Sequence, residues 1–298
     1  MKAASPSRPP DPTELLQSIA GNKPLAIVLA GHNGSGKSTL WYDNLVRALR
    51  IPLINADRLT LSLLPPSSGH PPTLDAWAAD LRDHDERWQR LSQEGVQLFM
   101  GLIMEQRMSF AFETVFSHFQ RHPDGSYTSK EKLIVTLQAA GYAVALLFVG
   151  LASAELSILR VATRKALGGH DVPEEKLRQR FPRTQEAIRL AAPVADMTLM
   201  FDNSRDIQNA FTLVRVQAKN RVVYDCRQLA FGETEELVNV ASVWLSLVAP
   251  KAPESGVVGG ESGGPEATMP LKKRAKKRRL RRKKRARTNG SGKAEDSG

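Results

Sequence analysis

A three-layer α/β fold, with a mainly parallel five-stranded sheet covered by helices on both faces, is what this sequence predicts, on three observations. Short apolar runs alternate with segments of helical periodicity from Leu25 to Val248, the pattern left by strand–helix–strand crossovers. The first run, Leu25-Ala26-Ile27-Val28-Leu29-Ala30, passes directly into glycine-rich Gly31 to Ser38 and then into a helical stretch. Polar residues recur just beyond the runs, at Asp57, Glu113-Thr114 and Asp202-Asn203, where open α/β sheets bind their ligands.

Residues 1–12, rich in proline and serine, predict a flexible arm, and Thr13 to Ala20 a short helix packed on the body. After the first strand, a helix from about Lys37 to Leu49 leads to a second strand, Ile51 to Asn55, and Pro65 to Pro72 reads as a loop. Asp75 to Arg107 reads as helical, with Leu91, Val96, Phe99, Met100 and Ile103 as its inner stripe. Ser109 to Val115 is the third strand and Lys130 to Ala140 a helix closed by Gly141. Tyr142 to Gly150 is a fourth, very apolar strand, as expected of one buried on both faces. A helix from Ala154 to Leu167 ends at Gly168-Gly169, and another starts near Pro173, with Glu174 and Glu175 on the positive end of its dipole. Asp196 to Phe201 is the fifth strand, followed by a helix near Ile207 to Gln217, a short strand Arg221 to Tyr224 and a last helix Glu233 to Val248. One domain over 13–248 results, with a lid around 167–183. Beyond it, 249–298 turns to Pro, Gly, Ser and Glu and then to cations, which predicts a disordered tail.

The net charge of +11 misleads, because residues 272–287 alone carry 13 Lys or Arg and the remainder holds 29 bases against 31 acids. The body therefore excludes an electrostatic argument for nucleic-acid or membrane binding. The tail, which lacks aromatic residues, predicts either non-specific contact with RNA, DNA or an anionic surface or else a merely solubilising extension. A single cysteine, Cys226, excludes an internal disulfide and a cysteine zinc site and reads as a small buried hydrophobe. The start MKAASPSRPPDP lacks an apolar leader and no apolar run spans a bilayer, so the expected location is the cytoplasm.

Gly31 to Ser38 fits the eight-position phosphate-binding loop without a mismatch, in the strand-to-helix context which that motif needs. Gly31, His32, Asn33, Gly34, Ser35, Gly36, Lys37, Ser38 and Thr39 are accordingly the candidates for binding ATP. Their backbone N–H groups would face the phosphates, Lys37 would reach the outer ones, and Ser38 would hold Mg2+. Four apolar residues ending in Asp-Glu, the mark of motor NTPases, are absent, which favours a small-molecule kinase. Such a kinase needs a carboxylate to take the proton of the attacking hydroxyl and cations to balance the transferring phosphoryl group. Asp57 is the candidate base, with a helix cap or an outer partner of the magnesium ion as its alternatives. Glu113 is a candidate for a substrate hydroxyl or ammonium group, or else an acceptor for loop amides. Arg160 and Arg164 share one helical face, and Arg178 and Arg180 follow the Gly168-Gly169 break. Together they describe a lid that brings a cation to the γ-phosphoryl group, against the alternative of solvated surface arginines. His170 reads as a surface loop residue.

These blocks resemble the zeta-toxin family of P-loop kinases, in its short, compact bacterial branch. The resemblance lies in Gly31 to Thr39, Asn55-Ala56-Asp57, Phe112 to Ser117, Gly141-Tyr142 with Phe148 to Leu151, Glu155-Leu156-Ser157 with Arg160-Val161, Gly168 to Pro173, and Asp202-Asn203-Ser204. It spans roughly Pro24 to Gln217. It implies a P-loop NTPase fold of the nucleoside and shikimate kinase type, and an ATP-dependent kinase acting on a hydroxyl of UDP-N-acetylglucosamine. By the same resemblance Asp57 is the activating base, Glu113 and Thr114 face the substrate, Arg160 and either Arg178 or Arg180 clamp the phosphates, and the partner of a toxin is an antitoxin. The chain departs by a polar insertion, His118 to Ser129, and by its C-terminal extension. Two competing functions are a nucleic-acid-associated NTPase anchored by the basic tail and a phosphotransferase for another small hydroxyl substrate.

Overall fold

The computed structural model describes residues 9–67, 74–228 and 233–250. The expectations for the start of the arm and for the tail, including 272–287, fall outside the described residues. Helix α1 (Pro12–Ala20) starts on Asp11, whose carboxylate accepts from the Thr13 and Glu14 amides, and it buries Leu16 completely. Strand β1 (Leu25–Gly31) is buried at every position. It pairs in parallel with β3 (Phe110–Thr114) on one side and β6 (Ala143–Gly150) on the other. Beyond them lie β2 (Leu53–Ile54) and β7 (Met197–Asp202), also parallel. These are the five strands expected. Two antiparallel strands, β8 (Thr212–Ala218) and β9 (Arg221–Asp225), continue the sheet in the order β2-β3-β1-β6-β7-β8-β9.

Helical segment α2 covers 37–49, with a π-helical turn Leu40–Leu45 between Lys37–Thr39 and Val46–Leu49. Then come α3 (Ala56–Leu63), α4 (Ala76–His84), α5 (Glu86–Glu105), α6 (Glu131–Ala139), α7 (Ala154–Ala166), α8 (Glu174–Ala191) and α9 (Glu235–Val248). The insertion after β3 folds as a separate two-stranded ribbon, β4 (Phe119–Arg121) and β5 (Tyr127–Ser129).

Three expectations need correction. The stretch 75–107 is two helices, because the Asp85 carboxylate accepts from the Arg87 and Trp88 amides (2.8 and 2.9 Å) and starts a new helix there. Leu91 and Phe99, expected inside, are exposed, and the buried line of α5 is Ser92, Val96 and Met100. The helix packs mainly on α3 and meets the sheet at its β2 edge. At Gly95 the two helices run so close that an added Cβ would lie 2.9 Å from Leu59. The helix expected over 207–217 is a 3-10 turn, Ile207–Asn209, followed by strand β8. Leu213 to Gln217 are buried on both faces, and Lys219-Asn220 closes a two-residue hairpin between Ala218 and Arg221, with Lys219 at φ 53°.

The carboxyl ends of β6 and β7 are pinned by Trp244 of α9. A Cβ on Gly150 would fall 2.5 Å from its ring, and its indole N–H donates to Asp202 at 2.9 Å. Asp202 is fully buried and also accepts from the Ser204 amide and hydroxyl (3.0 and 2.8 Å). Cys226 is buried, and burial pushes its thiol up to about 12, which fits an inert hydrophobe. Among the described residues no helix is long and apolar enough to cross a membrane. Trp244→Phe removes one donor from a buried carboxylate and part of the ring packed on Gly150, so it should cost at least about 1–3 kcal/mol in urea unfolding. A loss under about 0.5 kcal/mol would show that Ser204 alone satisfies Asp202.

Candidate active site

The loop between β1 and α2 folds back on itself, its Ser35 N–H donating to His32 O at 3.2 Å. Gly34 and Gly36 sit at φ 67° and 89°, in the left-handed region that side chains disfavour. At Gly36 a Cβ would also meet the Asn203 amide at 2.8 Å. Two side chains from neighbouring elements hold two of the loop's carbonyls: Ser157 of α7 donates to Asn33 O (2.7 Å) and Asn203, after β7, to Ser35 O (2.8 Å). Lys37 is buried, with its ammonium on Gly31 O and His32 O (3.2 and 3.0 Å) and 4.0 Å from Glu113. Burial is the main cause that lowers its pKa, partly offset by Glu113 and Asp57. His32 points away from the phosphates. Its ring stacks on Phe181 of α8 at 3.8 Å and meets the Phe148 edge at 5.7 Å, and neither ring nitrogen has a hydrogen-bond partner. A cavity of about 300 Å³ beside the loop is lined by Gly34, Gly36, Thr39, Arg160, Asn203 and Phe211, among others.

On the acceptor side, Asn55 ties three features together. Its Oδ1 accepts from the Arg58 amide, capping α3, while its Nδ2 donates to Glu113 at 2.6 Å. The capping alternative for Asp57 thus belongs to Asn55, and Asp57 stands exposed in the first turn of α3. Glu113 accepts from the Ser38 hydroxyl through both oxygens (3.1 and 2.9 Å) as well as from Asn55. Its partners are therefore side chains, not loop amides. A hydroxyl beside one hard carboxylate suits Mg2+, which takes few protein ligands and completes its shell with phosphates and water. Among the described residues no group of three or more His, Cys, Asp or Glu could hold a metal by itself.

Thr114 is buried, and its oxygen accepts from the Phe116 amide (3.2 Å) and from the Lys130 ammonium. Sequence reasoning missed Lys130, which sits directly behind the insertion and in none of the motif blocks. The four candidate arginines separate. Arg160 lines the cavity by Gly34, and Arg164 is exposed with its guanidinium on His170 O at 3.0 Å. Arg180 is half-buried, desolvated, and feels the Asp57 charge. Arg178 is exposed and held by Glu155 (2.7 Å) and Glu174 (2.9 Å) on the outer side of α8. The lid turn is fastened to α4: Arg82 donates to Gly168 O and Gly169 O (3.3 and 3.2 Å), and Asp83 binds both Arg82 and His170 Nδ1 at 2.6 Å. His170 is thus a loop residue hydrogen-bonded to Asp83, as expected of a surface histidine without a catalytic part.

A family model described as zeta toxin matches residues 13–209. No curated protein matches the sequence. Among solved structures the chain is similar to the AvrRxo1-ORF1:AvrRxo1-ORF2 complex with sulphate ions, at 15% identity and a TM-score of 0.50, over 82% of this chain and 70% of that one. This supports the fold. It is also similar to the PezAT chromosomal toxin–antitoxin system of Streptococcus pneumoniae (14% identity, TM-score 0.45, 81% and 86% covered). A third is a kinase structure from Chloroflexus aurantiacus j-10-fl (20% identity, TM-score 0.36, 54% and 80% covered).

Burial, and secondly the Lys37 charge, push the His32 ring down to about 3 from its usual 6.5. Between those values the unfolded chain binds the extra proton, so this contribution to stability is complete above about pH 6.5 and is lost as pH falls towards 3. His32→Phe, which keeps a ring between Phe148 and Phe181, should flatten that part of the urea-midpoint profile. A profile unchanged by the substitution would sink the neutral buried ring.

Proposed function

This chain belongs to the zeta toxin family, and from that premise we propose that it is an ATP-dependent kinase for a small hydroxyl acceptor. UDP-N-acetylglucosamine is the acceptor to test first, and an antitoxin protein is the partner the family suggests. One observation carries the reading: Lys37, Ser38 and Glu113 are in mutual contact at the carboxyl edge of the sheet, and the charges of Asp57 and Arg180 reach the same place from α3 and α8. Five groups from four elements come together where a triphosphate end and an incoming alcohol would have to meet.

In this reading the loop N–H groups and Lys37 grip the phosphates, and the cavity lined by Arg160 and Phe211 takes the nucleoside end. The acceptor oxygen bonds to the γ-phosphorus as the bond to the bridging oxygen breaks, ADP leaves, and the hydroxyl proton passes to Asp57. Mg2+ held by Ser38, with Glu113 beside it, would neutralise charge on the phosphate oxygens. Glu113 positions two partners at once, Ser38 directly and the first turn of α3 through Asn55. Thr114 lies beside Glu113 at the carboxyl end of β3, and the charge of Arg164 reaches Lys37 from α7. Arg180 is assigned to the phosphoryl group in preference to Arg178, whose charge is already matched by two glutamates.

Labelled ATP offered with UDP-N-acetylglucosamine and a panel of other hydroxyl compounds tests the acceptor. Asp57→Asn should lower transfer on the order of 10²–10⁴-fold while ATP affinity stays within about twofold, because triphosphate grip and hydroxyl activation use different groups. Lys37→Ala should weaken both. Full activity in Asp57→Asn would remove it as the base.

In the arginine pair, Arg180→Ala should lower kcat at least about tenfold and Arg178→Ala less than about twofold. The reverse order would move the lid cation to the outer face of α8.

A further inference from the structure

Residues 118–129 leave the carboxyl edge after Ser117 and come back to it. β4 and β5 pair Phe119 with Ser129 and Arg121 with Tyr127, and the His122 amide closes the turn on Ser126 O at 2.8 Å. The chain is thereby delivered to Lys130, at the start of α6, whose ammonium donates to the Thr114 hydroxyl oxygen. Thr114 faces Ala30 across the β1–β3 pairing, at the mouth of the phosphate loop. The loop after it is held rigidly. Phe116, a buried aromatic residue, is kept at φ 63°, where only a packed environment retains such a side chain. Thr184 of α8 donates to Arg180 O (2.9 Å) and reaches Val115 O (3.4 Å), so the helix carrying Arg180 packs on the same loop.

Lys130 forms no ion pair among the described residues, and Thr114 supplies its one hydrogen bond. An ammonium has three donors, and a lysine serving only to brace a loop would spend them on carbonyls or a carboxylate. Neighbouring acids are committed elsewhere: Glu113 to Ser38, Asn55 and Lys37, and Glu131 to the Tyr127 hydroxyl. The charges that act on Lys130 are Arg180 from α8 and Lys37 from α2, both positive. Three cations thus converge on one small region of the edge.

We propose that Lys130 is a further phosphate-binding residue of this site, its ammonium contacting the phosphoryl group in transit between nucleotide and acceptor together with Lys37 and Arg180. The inference rests on the kinase reading above. In that transition state charge lies on the three equatorial oxygens, and a desolvated point charge stabilises it far better than one in water. The insertion is what carries this cation to the edge.

Burial first, then Arg180 and Lys37, lower the Lys130 pKa to about 8. The group is charged at neutral pH and loses its proton as pH rises through about 8. Arginine at this place would stay charged.

The test uses the full chain and its Lys130→Met and Lys130→Arg variants, binding magnesium-ADP alone and magnesium-ADP with aluminium fluoride, a mimic of the phosphoryl group in transit. Lys130→Met should bind magnesium-ADP within about twofold of the unmodified protein and lose at least about tenfold of the affinity that aluminium fluoride adds. Lys130→Arg should recover most of that gain and keep it above about pH 8, where the unmodified protein loses it. An equal gain in all three proteins, with no difference in pH profile, overturns the proposal and leaves the kinase reading standing. An unmodified protein that binds neither form overturns both. Should Lys130→Met fail to fold, the pH profile of Lys130→Arg decides alone.

Discussion

A loop that curls tightly enough to cup an anion leaves backbone carbonyls that need donors, and the shape of this one depends on the side chains that supply them. A buried carbonyl without a donor is costly. Here the donors are Ser157 from α7 for Asn33 and Asn203 from beyond β7 for Ser35. The two clamps come from different connections, Ser157 from the crossover between β6 and β7 and Asn203 from the turn that follows β7. The phosphate loop is consequently shaped by residues 124 and 168 positions away from the carbonyls they hold. Gly34 and Gly36 permit the conformation, whereas Ser157 and Asn203 select it. Gly36 has a second duty, since any Cβ there would collide with Asn203.

Because the loop fits its pattern without gaps and its flanking strand is continuously apolar, the centre of the fold was legible in the sequence. So was β6, whose fully apolar run exceeds what a half-exposed strand would show. Legibility failed where tertiary partners decide. Ile207, Phe211 and Val214 have helical spacing, yet Leu213 to Val216 are equally good strand residues, and the Lys219-Asn220 hairpin with the neighbouring edge of β7 settles the competition. On α5 the apolar residues are numerous enough to define more than one stripe. Which stripe is buried follows from its packing against α3 at Gly95, a contact between elements that no local pattern contains. Lys130 was invisible for another reason: it reaches the site only because a ribbon of paired strands closes the intervening chain into a loop.

Charge behaves in the same way. The overall excess of +11 comes from residues 272–287, and the remainder is close to neutral. Nevertheless the described residues gather Lys37, Lys130 and Arg180 around one strand edge, while Glu113 and Asp57 balance them only in part. Burial lowers the pKa of all three, which means that the folded chain holds these charges at a cost. Such a cost is recovered when a polyanion arrives and the cations gain the counter-charge that the protein withholds. Net charge is therefore a poor guide to this site.

The choice between Arg178 and Arg180 shows how one contact propagates. Two residues apart on a helix means roughly opposite faces, so only one of them can look into the site. The rotation of α8 is set by its buried face, Leu177, Phe181, Thr184 and Ile188. Phe181 is locked by stacking on His32, and Thr184 by the Val115 carbonyl. With those fixed, Arg180 lies one turn before Thr184 on the inner side, and Arg178 lies outward with Glu174 one turn before it. His32 is a residue of the phosphate loop itself. The loop therefore determines, through one aromatic stack, which arginine of the lid can face the phosphates it holds.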